Sequence, residues 1–109
     1  MNIREFDNEL LRTGEHEDFY FRCPSYDNGC FTVHIIEYRN NTLFLKHTYR
    51  CDDIISCRSL SIGIESMELN DNVEVQFAIE EMDGDVLFFS LISIPFKKNG
   101  NNVIIEVYN

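Results

Sequence analysis

The stretch VEVQFAIEEMDGDVLFFSLISI, residues 73–94, carries the fold class. Val73, Val75, Phe77 and Ile79 alternate with Glu74, Gln76, Ala78 and Glu80, the period-two pattern of a strand with one buried face. Asp83-Gly84 is a two-residue hairpin signal, and a second apolar run follows it. A two-residue turn sets Val73, Val75, Phe77 and Ile79 beside Ile94, Ile92, Ser90 and Phe88 on a core face. On the other face Glu74, Gln76, Ala78 and Glu80 meet Ser93, Leu91, Phe89 and Leu87. The returning strand is then apolar on both sides, so something must cover Leu87, Phe89 and Leu91.

Working outward, Asn99-Gly100 reads as another hairpin turn, pairing Ile94 with Ile105 and Ile92 with Val107 and extending a meander. Upstream, Asn70-Asp71-Asn72 turns the chain. The alternation Leu60, Ile62, Ile64 predicts a strand with Ser61, Gly63 and Glu65 facing the other way. Residues 30–39 and 42–49 form a hairpin about Asn40-Asn41, since both positions of a type I′ turn need positive φ and Asn tolerates it. That register sets Tyr38 against Leu43, Ile36 against Leu45, His34 against His47 and Thr32 against Tyr49. Glu17 to Arg22 reads as a further strand, ended by Cys23-Pro24 and the turn-forming Asp27-Asn28-Gly29.

The first residues differ in period. Asn2 as N-cap, Glu5 three positions on and Gly14 as terminator predict a helix over 2–13, with Ile3, Phe6 and Leu10 as its apolar stripe. Such a helix would cover the second face of the meander, with a second sheet layer as the competing solution. The expectation is one domain over 1–109: a short helix, then about seven antiparallel strands over 17–108. The mainly β fold is a meander, sandwich or partly open barrel.

Composition agrees with one folded core: 109 residues, 44% hydrophobic, with nine Phe and five Tyr. No run is apolar enough to cross a membrane, and Asn2-Ile3-Arg4-Glu5 has no leader-like apolar segment, so a cytoplasmic protein is expected. In that compartment Cys23, Cys30, Cys51 and Cys57 read as free thiols. Their spacings, C-x6-C and C-x5-C, are not those of paired zinc knuckles.

No nucleophile elbow, phosphate loop or zinc-helix motif is present, and neither an enzymatic activity nor a cofactor is expected. The one constellation that register generates is His34 opposite His47, paired imidazoles able to hold a metal or share a proton. The plainer reading is two half-buried sheet residues.

The formal net charge is −10, which disfavours nucleic acid and anionic membrane as partners and favours a basic protein. The charge is unevenly placed. Residues 59–96 hold Glu65, Glu68, Asp71, Glu74, Glu80, Glu81, Asp83 and Asp85 and no Lys or Arg, so these eight are the candidate partner-binding residues. Exposed Tyr or Phe beside them would strengthen that reading.

In size, acidity, lack of a leader and lack of catalytic motif, the chain resembles the small acidic immunity proteins of bacterial contact-dependent toxin systems. The resemblance implies a non-catalytic inhibitor whose carboxylates meet the Lys and Arg of a cognate basic toxin such as a nuclease, blocking its active site by occlusion. A small metal-binding or acid–base enzyme at His34 and His47, and a β-module that self-associates through an open sheet edge, are the alternatives.

Overall fold

The computed structural model describes residues 1–91 and 96–108. Helix α1 (Ile3–Thr13) begins as its sequence dictates: the Asn2 side chain accepts from the Glu5 N–H at 2.9 Å, and the Glu5 carboxylate accepts from the Asn2 N–H at 3.2 Å. Ile3, Phe6 and Leu10 are buried, and the helix stops at Gly14. Strands β1 (Asp18–Cys23), β2 (Asp27–Phe31), β3 (Ile35–Arg39) and β4 (Thr42–Thr48) follow. Next come helix α2 (Cys57–Ser66) and strands β5 (Glu74–Glu80), β6 (Val86–Leu91), β7 (Lys97–Asn99) and β8 (Asn102–Tyr108).

The mainly β class with an N-terminal helix holds, with eight strands among the described residues. Two ladders are parallel, however: β1 with β8 and β4 with β5. Period-two patterning fixes which face of a strand is buried but carries no information on strand direction, so the expectation of purely antiparallel pairing fails at these two places.

Residues 60–65, expected as a strand, lie within helix α2. Ser56 caps α2 by accepting from the Ser59 N–H at 3.1 Å, and Cys57, Leu60, Ser61 and Ile64 form one buried stripe at helical spacing. Ile62, which the strand reading needed inside, is exposed.

The turns account for the remaining differences. Asn40 and Asn41 both have positive φ, and the register about them is as expected, Tyr38 with Leu43 and Ile36 with Leu45. Thr32 lies in the connection before β3 rather than opposite Tyr49. The reversal between β1 and β2 falls at 24–26, with the Tyr26 N–H donating to the Cys23 carbonyl at 3.0 Å, ahead of the expected Asp27-Asn28-Gly29.

At the β5–β6 hairpin the loop holds three residues, Met82, Asp83 and Gly84. The Gly84 N–H closes a turn onto the Glu81 carbonyl at 3.0 Å, Gly84 takes φ +90, and the Glu81 N–H bonds Asp85 at 2.8 Å. One extra loop residue slips the register by one, so Phe77 pairs with Phe89 and Ile79 with Leu87. The core face of β6 is therefore Leu87, Phe89 and Leu91, and Phe88 and Ser90 point away from it. The last turn is Gly100-Asn101, because Gly100 supplies the positive φ that a type II′ turn needs at its first central position. Val107 pairs with Leu91; the expected positions of Ile92, Ser93 and Ile94 lie outside the described residues.

The hydrogen-bonded order is β2-β1-β8-β6-β5-β4-β3, with β7 also on β8. Laid flat, six strand spacings would separate β2 from β3 by about 29 Å. Only Thr32, Val33 and His34 join them, and that link spans no more than about 13 Å. The sheet must curl until its two edges approach, giving a partly open barrel. Phe19, Phe21, Leu43, Leu45, Phe77 and Phe89 fill its concave side, and Phe6 of α1 inserts among the rings of Phe19, Phe77 and Phe96 at centroid distances of 5.3–6.1 Å. Both helices pack on this side, so curl and helix together cover the apolar face of β6. No helix among the described residues is long and apolar enough to cross a membrane.

Candidate functional site at the sheet seam

Where the edges converge, the ends of β4 and β5, the β1–β2 turn and the β5–β6 hairpin enclose an open groove of about 440 Å³. Phe31, His47 and Ile79 contribute to it from β2, β4 and β5; Tyr26, Tyr49 and Met82 contribute from turns. Met82 is 80% exposed, Tyr49 41% and Tyr26 39%, large apolar surfaces that a chain of this size would ordinarily bury. Glu80, Glu81 and Asp83 complete the lining.

These acids differ in their engagements. The Tyr26 hydroxyl donates to Glu81 Oε2 at 3.1 Å, and burial together with this carboxylate holds the phenol above its ordinary pKa. Asp83 Oδ1 accepts from the Asp85 N–H at 3.0 Å within the hairpin. Glu80 has no side-chain hydrogen bond or ion pair among the described residues. Arg50 lies at the rim, its Cζ 5.4 Å from the Tyr49 ring centroid and its Nε donating to the Tyr49 hydroxyl at 3.1 Å.

The eight acids expected to form one surface lie in two groups at opposite ends of β5. Glu80, Glu81, Asp83 and Asp85 belong to the groove and its hairpin. Glu65, Glu68 and Asp71 line a separate cleft of about 370 Å³ between α1 and α2, with Ile3, Arg4 and Asp7. Glu74 accepts from the amino group of Met1 at 3.0 Å. The length of β5, about 20 Å, separates Glu74 from Glu80.

The expected histidine pair is present: the rings of His34 and His47 lie 4.8 Å apart. Their nitrogens are largely engaged. His34 Nδ1 accepts from the Thr48 N–H at 3.1 Å, and its Nε2 faces the Asp53 carbonyl at 3.0 Å and Thr32 Oγ1 at 2.6 Å. His47 Nδ1 donates to the Thr32 carbonyl at 2.9 Å, and burial lowers its pKa. One imidazole nitrogen, His47 Nε2, remains without a hydrogen bond among the described residues. No three His, Cys, Asp or Glu among those residues are grouped closely enough to hold a metal ion.

The cysteines are unpaired and dispersed: Cys23 and Cys57 are buried, Cys51 is half-buried and Cys30 is exposed. Burial pushes the Cys57 thiol up to about 11, the opposite of what a nucleophile needs.

Sequence reasoning found the acids of the groove, His47 and, flanking the histidine pair, Tyr49, but not Tyr26, Phe31 or Met82. Its only available signal was their aromatic or apolar character in turn-rich segments, where burial is harder to arrange. Comparison with protein-family models, curated proteins and solved structures finds no match to this chain.

Proposed function

We propose that this chain is a non-catalytic, cytoplasmic protein-binding inhibitor, acting as the small acidic immunity proteins do, and that a basic partner such as a nuclease toxin docks over the seam groove. The observation that carries this reading is the union of exposed Tyr26, Tyr49 and Met82 with Glu80, Glu81 and Asp83 in one concavity. Aromatic and Met anchors supply desolvation energy at the centre of an interface, and flanking charges of one sign speed association and reject wrong partners. Occlusion of the partner's phosphate-binding cations is then the activity. A metal or acid–base role for His34 and His47 has weaker support, because three of their four ring nitrogens already face backbone or Thr32 partners.

The test is co-expression with the product of the adjacent reading frame, followed by kinetics of the purified complex and by assay of the partner's activity. The triple variant Glu80→Lys, Glu81→Lys, Asp83→Lys is expected to slow association at least about tenfold and to remove most of its salt dependence. Glu65→Lys, Glu68→Lys, Asp71→Lys, at the other end of β5, should leave binding nearly unchanged. The reading fails if no basic partner is bound and inhibited, and the docking face moves to the helix cleft if the second variant is the one that weakens binding.

A further inference from the structure

The proposed docking face has a chemistry specific enough to name what enters it. We propose that the groove receives an arginine side chain of the partner, its guanidinium stacked on the Tyr49 and Tyr26 side and its charge met by Glu80, Glu81 and Asp83. The inference rests on the docking reading above and deepens it.

Three features select a guanidinium. The walls are mixed: Phe31, Ile79 and Met82 offer apolar surface to a long aliphatic stem, and Glu80, Glu81 and Asp83 offer carboxylates to its charged head. A guanidinium, planar and weakly hydrated, enters such a site at lower desolvation cost than the compact, strongly hydrated ammonium of lysine. Second, the protein already presents this contact to one of its own side chains: Arg50 lies over Tyr49 and bonds its hydroxyl, close enough to Glu80 for that carboxylate to favour the charged guanidinium. A partner arginine would meet the same kind of surface on the groove side. Third, acceptor capacity is unspent. Glu80 carries no hydrogen bond or ion pair among the described residues, and Glu81 uses Oε2 for Tyr26, leaving Oε1. Forked donation from a guanidinium suits carboxylates left in that condition.

His47 is compatible with a cationic occupant. Its Nδ1 is committed to Thr32, and burial favours its neutral form, so the imidazole adds no repelling charge near neutral pH.

The experiment titrates the isotope-labelled whole chain with N-acetyl-arginine methylamide, following the Met82 methyl, the Tyr26 and Tyr49 rings and the His47 ring by NMR. The neutral, near-isosteric citrulline analogue and the lysine analogue serve as controls. Saturable shifts confined to those four residues with arginine, much weaker with lysine and absent with citrulline, are the expected result. Tyr49→Leu, at an exposed position, should weaken arginine binding about twofold to fivefold. Equal response to citrulline or lysine overturns the inference, as do arginine-induced shifts at Asp7, Glu65 and Glu68 in place of the groove. The two readings separate cleanly: a groove indifferent to arginine, in a protein that still captures its partner through Glu80, Glu81 and Asp83, sinks this inference and leaves the docking reading standing.

Discussion

Phe31 lies edge-on to His47, ring centroids 5.2 Å apart, although β2, which carries Phe31, is one end of the hydrogen-bonded order and β4, which carries His47, is next to the other end. That contact exists because the sheet curls and the three-residue link 32–34 pulls edge β2 toward edge β3. It also forms part of the groove, so the curvature of the sheet and the candidate site have one origin.

The position of His47 in this seam gives stability a defined pH slope. Burial, with a smaller contribution from neighbouring His34, lowers its pKa below the ordinary 6.5 against the opposing Thr32 bond. The unfolded chain therefore takes up the proton first, and stability falls as pH drops through 6.5 toward the folded value. Thermal denaturation between pH 7.5 and 5.5 is expected to show a declining midpoint, and His47→Asn, which keeps a donor for Thr32, should flatten that decline.

Asp7 and Glu65 act in the opposite sense. The Asp7 carboxylate, held by the Ser61 hydroxyl at 2.6 Å, raises the pKa of Glu65 across the helix pair. A carboxyl raised in the folded state opposes folding at neutral pH, and that opposition fades as pH falls toward the ordinary 4.5. Asp7→Asn keeps an acceptor for Ser61 and should raise the unfolding midpoint at pH 7, with little change at pH 4. An equal gain at both values would mean that the benefit has another cause.

Phe6 is fully buried against Phe19, Phe77 and Phe96 and is the main anchor of α1 on the sheet. Phe6→Ala should cost about 3–5 kcal/mol in a chemical-denaturation measurement, a large part of the stability a domain of this size ordinarily has. A loss below about 1 kcal/mol would show that α1 is not integral to the core.

Two glycines should respond with opposite signs. Gly84 sits at φ +90 with open space around it, so Gly84→Ala meets no neighbour yet is strained by its backbone, costing about 1 kcal/mol. Gly63 lies inside α2, where alanine is intrinsically better by about 1 kcal/mol, and the atom it would crowd is the mobile Cδ1 end of Ile36, at 2.8 Å. Gly63→Ala is expected to be neutral to slightly stabilising by the same denaturation measurement.

Much of the local structure was legible because its causes are local. The capping box of Asn2 and Glu5, the stripe Ile3, Phe6 and Leu10, and the Asn40-Asn41 turn each depend on residues a few positions apart, and each is present as expected. Register was fragile for the same reason: one more residue in the loop 82–84 exchanged Phe88 for Phe89 as the buried ring. In α2 the spacing of Leu60, Ile62 and Ile64 suits a strand, while Cys57, Leu60, Ser61 and Ile64 suit a helix. The Ser56 cap and the contact of the helical face with the sheet interior favour the second.

The candidate site was half legible. Its acids announced themselves as a run without cations, but adjacency in sequence did not make them one surface, since a strand of seven residues holds Glu74 and Glu80 apart. The aromatic half of the groove comes from Tyr26, Phe31 and Tyr49, more than thirty residues upstream of most of the acids they join.

From the residues alone follow a β-rich class, the buried face of β5, the N-terminal helix and the acidity, all consequences of periodicity, backbone preference and charge count. Strand direction, the parallel pairing of β1 with β8 and β4 with β5, the curl of the sheet and the groove at its seam belong to the assembled chain. Those features depend on how far a short link can reach and which distant surfaces pack without voids, quantities that no single stretch of sequence contains.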